Sequence, residues 1–256
     1  MSEKNYITSS LYFLNNKIYY EDDEDKSILI NNKNWHKYLD EYGWTKLPYG
    51  WKRRLKGNDA NFRYGLLDCG SNGDCLFHCI GEALHDNYEP DGIKKTVEEL
   101  RELTSTMINQ DNFLCILENY KCEEETNFFN GYWEPSKIKT IDELKEEICK
   151  PGDSFWGDHI LLQLLQEKLE FNVIILNSGN KYFHSENNNL NEYTIHPLAC
   201  EINKFNKTII LFYEDGLHFQ LVGYMRNNKM ITCFSRDELP DKLLEIYHTD
   251  CFQNNS

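Results

Sequence analysis

The segment Cys69–Ile80 reads CGSNGDCLFHCI, in which a polar, glycine-containing loop leads directly into an apolar pattern. Leu76, Cys79 and Ile80 recur at helical spacing, and Ala83 continues the same face. Residues spaced in this way predict a buried amphipathic helix. The helix is therefore expected to begin at Cys75, immediately after the loop.

Cys75 is the candidate nucleophile. The N-terminus of a helix lowers the pKa of a thiol through its dipole and its free amides. The backbone N–H groups of Asn72, Gly73 and Asp74 would lie beside the sulfur, as an oxyanion hole requires, and glycine permits a positive φ there. The alternative is a buried structural thiol, because free cysteine is among the most buried residue types.

A second pattern follows a tight turn near residue 216. Leu217–Val222 alternates apolar and polar residues, which is typical of a strand. His218 and Gln220 share one face, since strand side chains repeat every two residues. A base on a strand, with an amide to orient it, is the arrangement that a Cys–His site needs. Taken alone, a strand histidine is more often not catalytic.

A third pattern, Trp156-Gly157, opens an amphipathic helix that leads into the apolar run Val173–Leu176. On its own this is a packing signature, and the run predicts a buried strand. Further helices are predicted at 34–42, 92–110, 113–120, 141–149 and 237–247, and further strands at 11–14, 18–20, 193–195, 209–213 and 217–224. Helices come mostly first and strands later, which favours an α+β or mixed α/β domain with a small sheet.

Composition narrows the classes of function. The net charge of -15 disfavours broad contact with nucleic acid, which binds largely through Lys and Arg. No secretory signal and no run long enough for a membrane span is visible. Nine cysteines occur without a C-x-x-C pair, so a zinc ribbon is not expected. These features predict a reducing, intracellular location with free thiols.

The three patterns together resemble the ovarian-tumour (OTU) family of cysteine proteases. Asn72–His78 resembles the family's Cys loop, Phe155–Ile160 its Trp-Gly helix start, and His218–Val222 its histidine strand, in family order. The resemblance covers roughly 64–224. The asparagine- and lysine-rich style, with its GDCLFH block, is also similar to OTU-like proteins of large DNA viruses.

The resemblance implies a papain-like α+β fold with a small central sheet flanked by helices. It implies a domain at 61–225, preceded by an extension of unknown role at 1–60 and followed by one at 226–256 with a short helix and a frayed tail. It also implies Cys75 and His218 as the catalytic pair, Asn72–Asp74 as the oxyanion loop, and Trp156 and Phe219 as substrate contacts.

The third catalytic member is open between two residues. Gln220 stands where many family members carry Asp or Asn, and its carbonyl could accept from the imidazole N–H. Asp68, upstream of the Cys loop, is the rival. Gln220 is slightly preferred. Asn72 stands where the family often has an Asp, so it contributes hydrogen bonds but no charge.

The expected function is deubiquitination, which is hydrolysis after the C-terminal glycine of ubiquitin or a ubiquitin-like modifier. Expected partners are ubiquitin or polyubiquitin chains, with no cofactor, metal, nucleic acid or membrane. Three alternatives remain: a papain-like thiol hydrolase that does not use ubiquitin, an inactive OTU domain that only binds ubiquitin or a host protein, and a structural module.

Overall fold

The structure is a computed structural model. It describes residues 4–57, 62–85, 94–129, 131–178, 193–196, 202–214 and 218–253. The helices are α1 Trp35–Tyr38, α2 Tyr49–Leu55, α3 Cys75–Leu84, α4 Val97–Thr106, α5 Phe113–Glu125, α6 Ile141–Cys149, α7 His159–Leu169 and α8 Asp241–His248. The strands are β1 Asn5–Tyr6, β2 Leu11–Leu14, β3 Lys17–Glu21, β4 Ser27–Leu29, β5 Trp44–Lys46, β6 Tyr64–Leu67, β7 Phe171–Asn177, β8 Lys207–Glu214, β9 His218–Arg226, β10 Lys229–Ile231 and β11 Cys233–Ser235.

A seven-stranded mixed sheet forms the centre. Its strands run β11-β8-β9-β6-β5, with β7 added beside β8 and β10 beside β9. β7 and β8 are parallel, whereas the other pairs are antiparallel. The predicted α+β class is confirmed. The sheet has more strands than the sequence indicated, because strands as short as β5 and β11 have too few residues to show a period in the sequence.

Helices cover both faces of this sheet. On β7 and β8, Ile175 and Leu211 belong to one apolar cluster, and Ile174 and Ile210 belong to another. The alternation follows from the two-residue period of a strand. Helices α3 to α7 contribute to the first cluster, and α2 and α8 to the second. The strands between them are buried on both sides, which explains their continuous apolar runs.

The N-terminal residues form a separate four-stranded antiparallel sheet of β1 to β4. Asn15 and Asn16 both have positive φ, as a tight hairpin turn requires, and this confirms the predicted strand, turn and strand. Leu11, Phe13 and Ile18 join the first apolar cluster, so this sheet packs on the central domain.

Several boundaries differ from those predicted. The helix predicted at 92–110 is described only from Val97, where Thr96 and Glu99 form a capping box, to Thr106. Helix α2 was not predicted, because the preceding Pro48 and the internal Gly50 read as turn residues. Cys251 is disulfide-bonded, which corrects the expectation of free thiols at that position. Within the described ranges, no helix combines the length and the apolar run that a bilayer span needs.

Candidate active site

Cys75 is the first residue of α3 and only 4% exposed. It lies against the start of β9, where the backbone N–H of Phe219 donates to its Sγ over 3.5 Å. One turn later, the Cys79 thiol donates to the carbonyl oxygen of Phe219, also over 3.5 Å. The residue after His218 is therefore held to the first helical turn through both of its backbone polar groups.

The environment of the Cys75 thiol has opposing effects on its pKa. Burial raises the pKa, backbone hydrogen bonds from Phe219, Leu76 and Cys75 itself lower it, and the charge of Asp68 raises it. Burial dominates, so the pKa is raised overall. The lowering of the pKa expected at a helix N-terminus is present in these backbone hydrogen bonds, but burial outweighs it.

His218 begins β9, and its imidazole contacts a carboxylate across the sheet. Nε2 lies 3.2 Å from Oδ1 of Asp68, which follows β6 directly. β6 pairs with β9, so the end of one strand meets the start of the other. The Asp68 side chain is 59% exposed and that of His218 26% exposed, so the pair lies at the rim of the domain.

Gln220, the residue preferred from the sequence, makes no hydrogen bond to His218 among the described residues. Of the two candidates for the third catalytic member, Asp68 is the one in contact with the imidazole, so the geometry favours Asp68, and the role of either residue stays a prediction. Side chains two residues apart on a strand lie on the same face and extend side by side, so Gln220 does not point toward the ring of His218. Asp68 instead follows the neighbouring strand β6, and its Oδ1 reaches Nε2 of His218.

The loop before Cys75 has an unusual backbone. Asn72 has φ 60° and Gly73 has φ 84°, both in the left-handed region. A Cβ at Gly73 would lie 2.4 Å from the carbonyl oxygen of Gly152, so only glycine fits this approach. The carbonyl of Gly73 accepts from the N–H of Gly157 over 3.0 Å. The three predicted loop residues thus pack against the segment that carries the Trp-Gly pattern.

Asp74 precedes α3 but its side chain does not cap the helix. Its Oδ1 accepts from Arg101 Nε over 2.9 Å and from Nη2 over 2.6 Å, and its Oδ2 accepts from Gly152 N–H over 2.7 Å. Sequence reasoning missed Arg101. The available signal was its position on the apolar stripe of α4, four residues after Val97, where a buried charge requires a partner.

Among the described residues, no group of histidine, cysteine and acidic side chains is arranged to hold a metal ion. The site itself presents a thiol, an imidazole, a carboxylate and backbone amides.

Residues 70–219, more than half of the chain, match the family model described as OTU-like cysteine protease. The chain belongs to this family. No curated protein matches the sequence. The region of this OTU family member that matches begins in the loop before Cys75 and ends one residue after His218.

Solved structures with OTU domains are also similar. An OTU domain in complex with ubiquitin is 15% identical, covering 72% of this chain and 82% of that chain with a TM-score of 0.41. An OTU deubiquitinase from Wolbachia pipientis is 14% identical, covering 73% and 98% with a TM-score of 0.37. The OTU domain protease from Taggert virus is 13% identical, covering 73% and 96% with a TM-score of 0.33.

The two residues that the OTU resemblance assigned to substrate differ in placement. The Phe219 side chain is 5% exposed and stacks on Tyr213 with ring centroids 4.5 Å apart. The ring therefore lies in the core and the backbone N–H faces the thiol, and a substrate contact by Phe219 stays a prediction. Trp156 is half-buried and precedes Gly157, whose amide contacts the loop. A role of Trp156 in substrate binding stays a prediction.

Proposed function

We propose that this chain is a deubiquitinating cysteine protease that cleaves after the C-terminal glycine of ubiquitin or a ubiquitin-like modifier. Membership of the OTU-like cysteine protease family supports the reaction class. The observation that carries the proposal is the linked arrangement of Cys75, the start of β9 and the His218–Asp68 pair. A nucleophile, a base and a group that orients the base are the parts that such a site needs.

The ring nitrogens of His218 have distinct roles in this proposal. Nε2 lies at Asp68, which leaves Nδ1 to take the proton of Cys75. The carboxylate fixes the tautomer and stabilises the imidazolium that forms. Because burial raises the pKa of Cys75, proton transfer to His218 is part of nucleophile activation.

The thiolate of Cys75 attacks the carbonyl carbon of the terminal glycine, and its electrons move onto the carbonyl oxygen. Amides of the loop 72–75 stabilise that oxyanion. His218 then gives its proton to the leaving lysine amine, and a thioester remains on Cys75. Water, deprotonated by His218, hydrolyses the thioester and frees the enzyme.

The substrate tail is extended and basic, so an acidic protein is a suitable partner. The net charge of -15 favours the approach of such a tail through long-range attraction. Ubiquitin or polyubiquitin chains are the proposed partners, and the proposed location is a reducing, intracellular one.

The test uses ubiquitin with an electrophilic C-terminus, with the wild-type protein beside the Cys75→Ala variant. The expected result is a ubiquitin-sized mass increase on the wild type alone. No mass increase and no binding of ubiquitin would contradict the proposal.

The second candidate is an OTU domain that binds ubiquitin without cleaving it. Two observations favour it: burial raises the pKa of the Cys75 thiol, and the Asp68 side chain is 59% exposed, which weakens its hold on His218. This candidate predicts measurable ubiquitin binding by both proteins and no covalent product from either.

A further inference from the structure

We propose that Arg101 is a positioning residue for the oxyanion loop, and that it acts by holding the Asp74 carboxylate away from the N-terminus of α3. The inference rests on the proposed function for its kinetic consequence. Its structural basis does not depend on the proposed function, because it concerns only why the side chain of Asp74 does not cap the N-terminus of α3.

An aspartate at this position normally caps its helix. The side-chain oxygen of an N-cap residue accepts from the backbone N–H two or three residues later. Those donors here belong to Leu76 and Phe77, and Asp74 accepts from neither. The first amides of α3 therefore remain available to the Cys75 sulfur and to a substrate oxygen.

Both oxygens of the carboxylate instead accept hydrogen bonds from other segments. Arg101 donates two hydrogen bonds to Oδ1, and the backbone N–H of Gly152 donates one to Oδ2. No other lysine or arginine in the described part of the chain contacts Asp74. Within the described ranges, Arg101 is thus the cation that balances a carboxylate placed one residue before the nucleophile.

Arg101 is itself held rigidly. Its side chain is 0% exposed. Nη1 donates to the carbonyl oxygen of Ile148 over 2.9 Å, and Nη2 donates to that of Phe155 over 2.7 Å. The guanidinium lies 4.3 Å from the ring centroid of Phe77. One side chain therefore joins the Cys loop to the end of α6 and to the Trp-Gly segment, and a planar, five-donor group is needed to do so.

Two consequences would follow if the guanidinium were removed. The freed carboxylate could turn to the amides of its own helix, where it would occupy donors that the oxyanion needs. Its charge would also oppose formation of the Cys75 thiolate. The other titratable groups around Cys75 are unchanged in such a variant: Asp68 and Cys69 from the preceding loop, Cys79 within α3, Tyr213 from β8 and His218 from β9.

The experiment compares Arg101→Met with the wild type in two measurements. The first is the pH dependence of Cys75 alkylation by iodoacetamide, read by mass spectrometry of the Cys75 peptide because the chain has other free thiols. The second is steady-state cleavage of a fluorogenic ubiquitin conjugate. We expect the alkylation profile to move to higher pH, and kcat to fall about 10- to 100-fold with little change in KM.

Arg54→Met is the matched control. Arg54 makes a two-pronged ion pair with Asp250, over 2.9 and 2.8 Å, on the opposite side of the sheet. Its loss should lower stability without moving the alkylation profile or kcat. Adding Asp74→Asn to Arg101→Met should return the profile toward the wild type, since the released charge is then absent.

An Arg101→Met protein that is only less stable, with wild-type profile and kcat, would overturn the proposal. Should that variant not fold, Asp74→Asn alone decides: its amide has one acceptor oxygen for the donors of both Arg101 and Gly152, so we expect a reduced kcat, and an unchanged kcat would be contrary. Alkylation of Cys75 needs no ubiquitin. A wild-type protein that neither cleaves nor binds ubiquitin would therefore contradict the proposed function, and the alkylation profiles would still test the role of Arg101.

Discussion

Nε2 of His218 lies 3.2 Å from Oδ1 of Asp68, although 150 positions separate the two residues in the sequence. The contact exists because β6 ends where β9 begins, within one antiparallel pair. Asp68 is therefore connected to the histidine by the sheet, and to the nucleophile by the loop that leads to Cys75.

Replacing Asp68 should impair catalysis more than replacing Gln220. Asp68→Asn removes the charge that stabilises the imidazolium, and we expect kcat/KM to fall about 10- to 100-fold. Gln220→Ala removes no contact with His218 and should stay near wild type. Cleavage of a fluorogenic ubiquitin conjugate measures both. A larger loss for Gln220→Ala than for Asp68→Asn would restore the assignment preferred from the sequence.

Gly73→Ala should reduce activity strongly. An alanine there needs φ 84° and places its Cβ 2.4 Å from the Gly152 oxygen, so the loop must shift. Gly152→Ala is the matched control, since it also needs a positive φ but has its nearest contact at 3.8 Å. We expect kcat to fall for Gly73→Ala well beyond any fall for Gly152→Ala. Equal kcat values for the two would indicate that the close approach is unimportant.

Glu123 should make stability depend on pH. Burial, with a further contribution from the charge of Asp158, raises the pKa of Glu123 to about 7. The folded protein therefore keeps a proton that the unfolded chain has lost, and stability falls as pH rises from about 4.5 to about 7.

Glu123→Gln removes this loss. Because the carboxyl is only half-buried, we expect a gain of about 1 kcal/mol in unfolding free energy at pH 8 and little change at pH 4.5. Urea unfolding at both values measures the effect, and Glu125→Gln on the exposed side of α5 is the control. The same gain at both pH values would argue against a raised pKa.

Trp51→Ala should destabilise the whole domain. Trp51 is fully buried, and its Nε1 donates to the carbonyl oxygen of Asn177 over 2.6 Å. We expect a loss of about 3–5 kcal/mol, from the cavity and the unpaired carbonyl together. Tyr49→Ala, at a side chain 77% exposed, should change the unfolding free energy little. Retention of stability in Trp51→Ala would show that α2 is not part of the central fold.

Patterns confined to one element were predictable from the sequence. The start of α3 follows from a polar loop before a helical stripe, and β9 follows from strict alternation. The hairpin at Asn15 and Asn16 follows from its turn residues. Each of these depends on neighbours within about ten positions.

Contacts between elements were not predictable in the same way. Arg101 and Asp74 are 27 positions apart, and Asp68 and His218 150 apart, so each pairing needs the packed fold. Gln220 was favoured because it shares a strand face with His218 and stands where many family members carry Asp or Asn, whereas in the structure the hydrogen bond to His218 comes from Asp68. Burial of Cys75 likewise depends on the strand that packs against it.

The Phe219 peptide contacts Cys75 through its N–H and Cys79 through its carbonyl. The strand that carries the base is thereby joined to the helix that carries the nucleophile, so we expect fluctuations of the surrounding loops to change their relative position little. The Phe219 amide proton is consequently a natural reporter of the assembled site. Its exchange with solvent deuterium requires β9 to part from α3, which is the motion that would separate histidine from thiol.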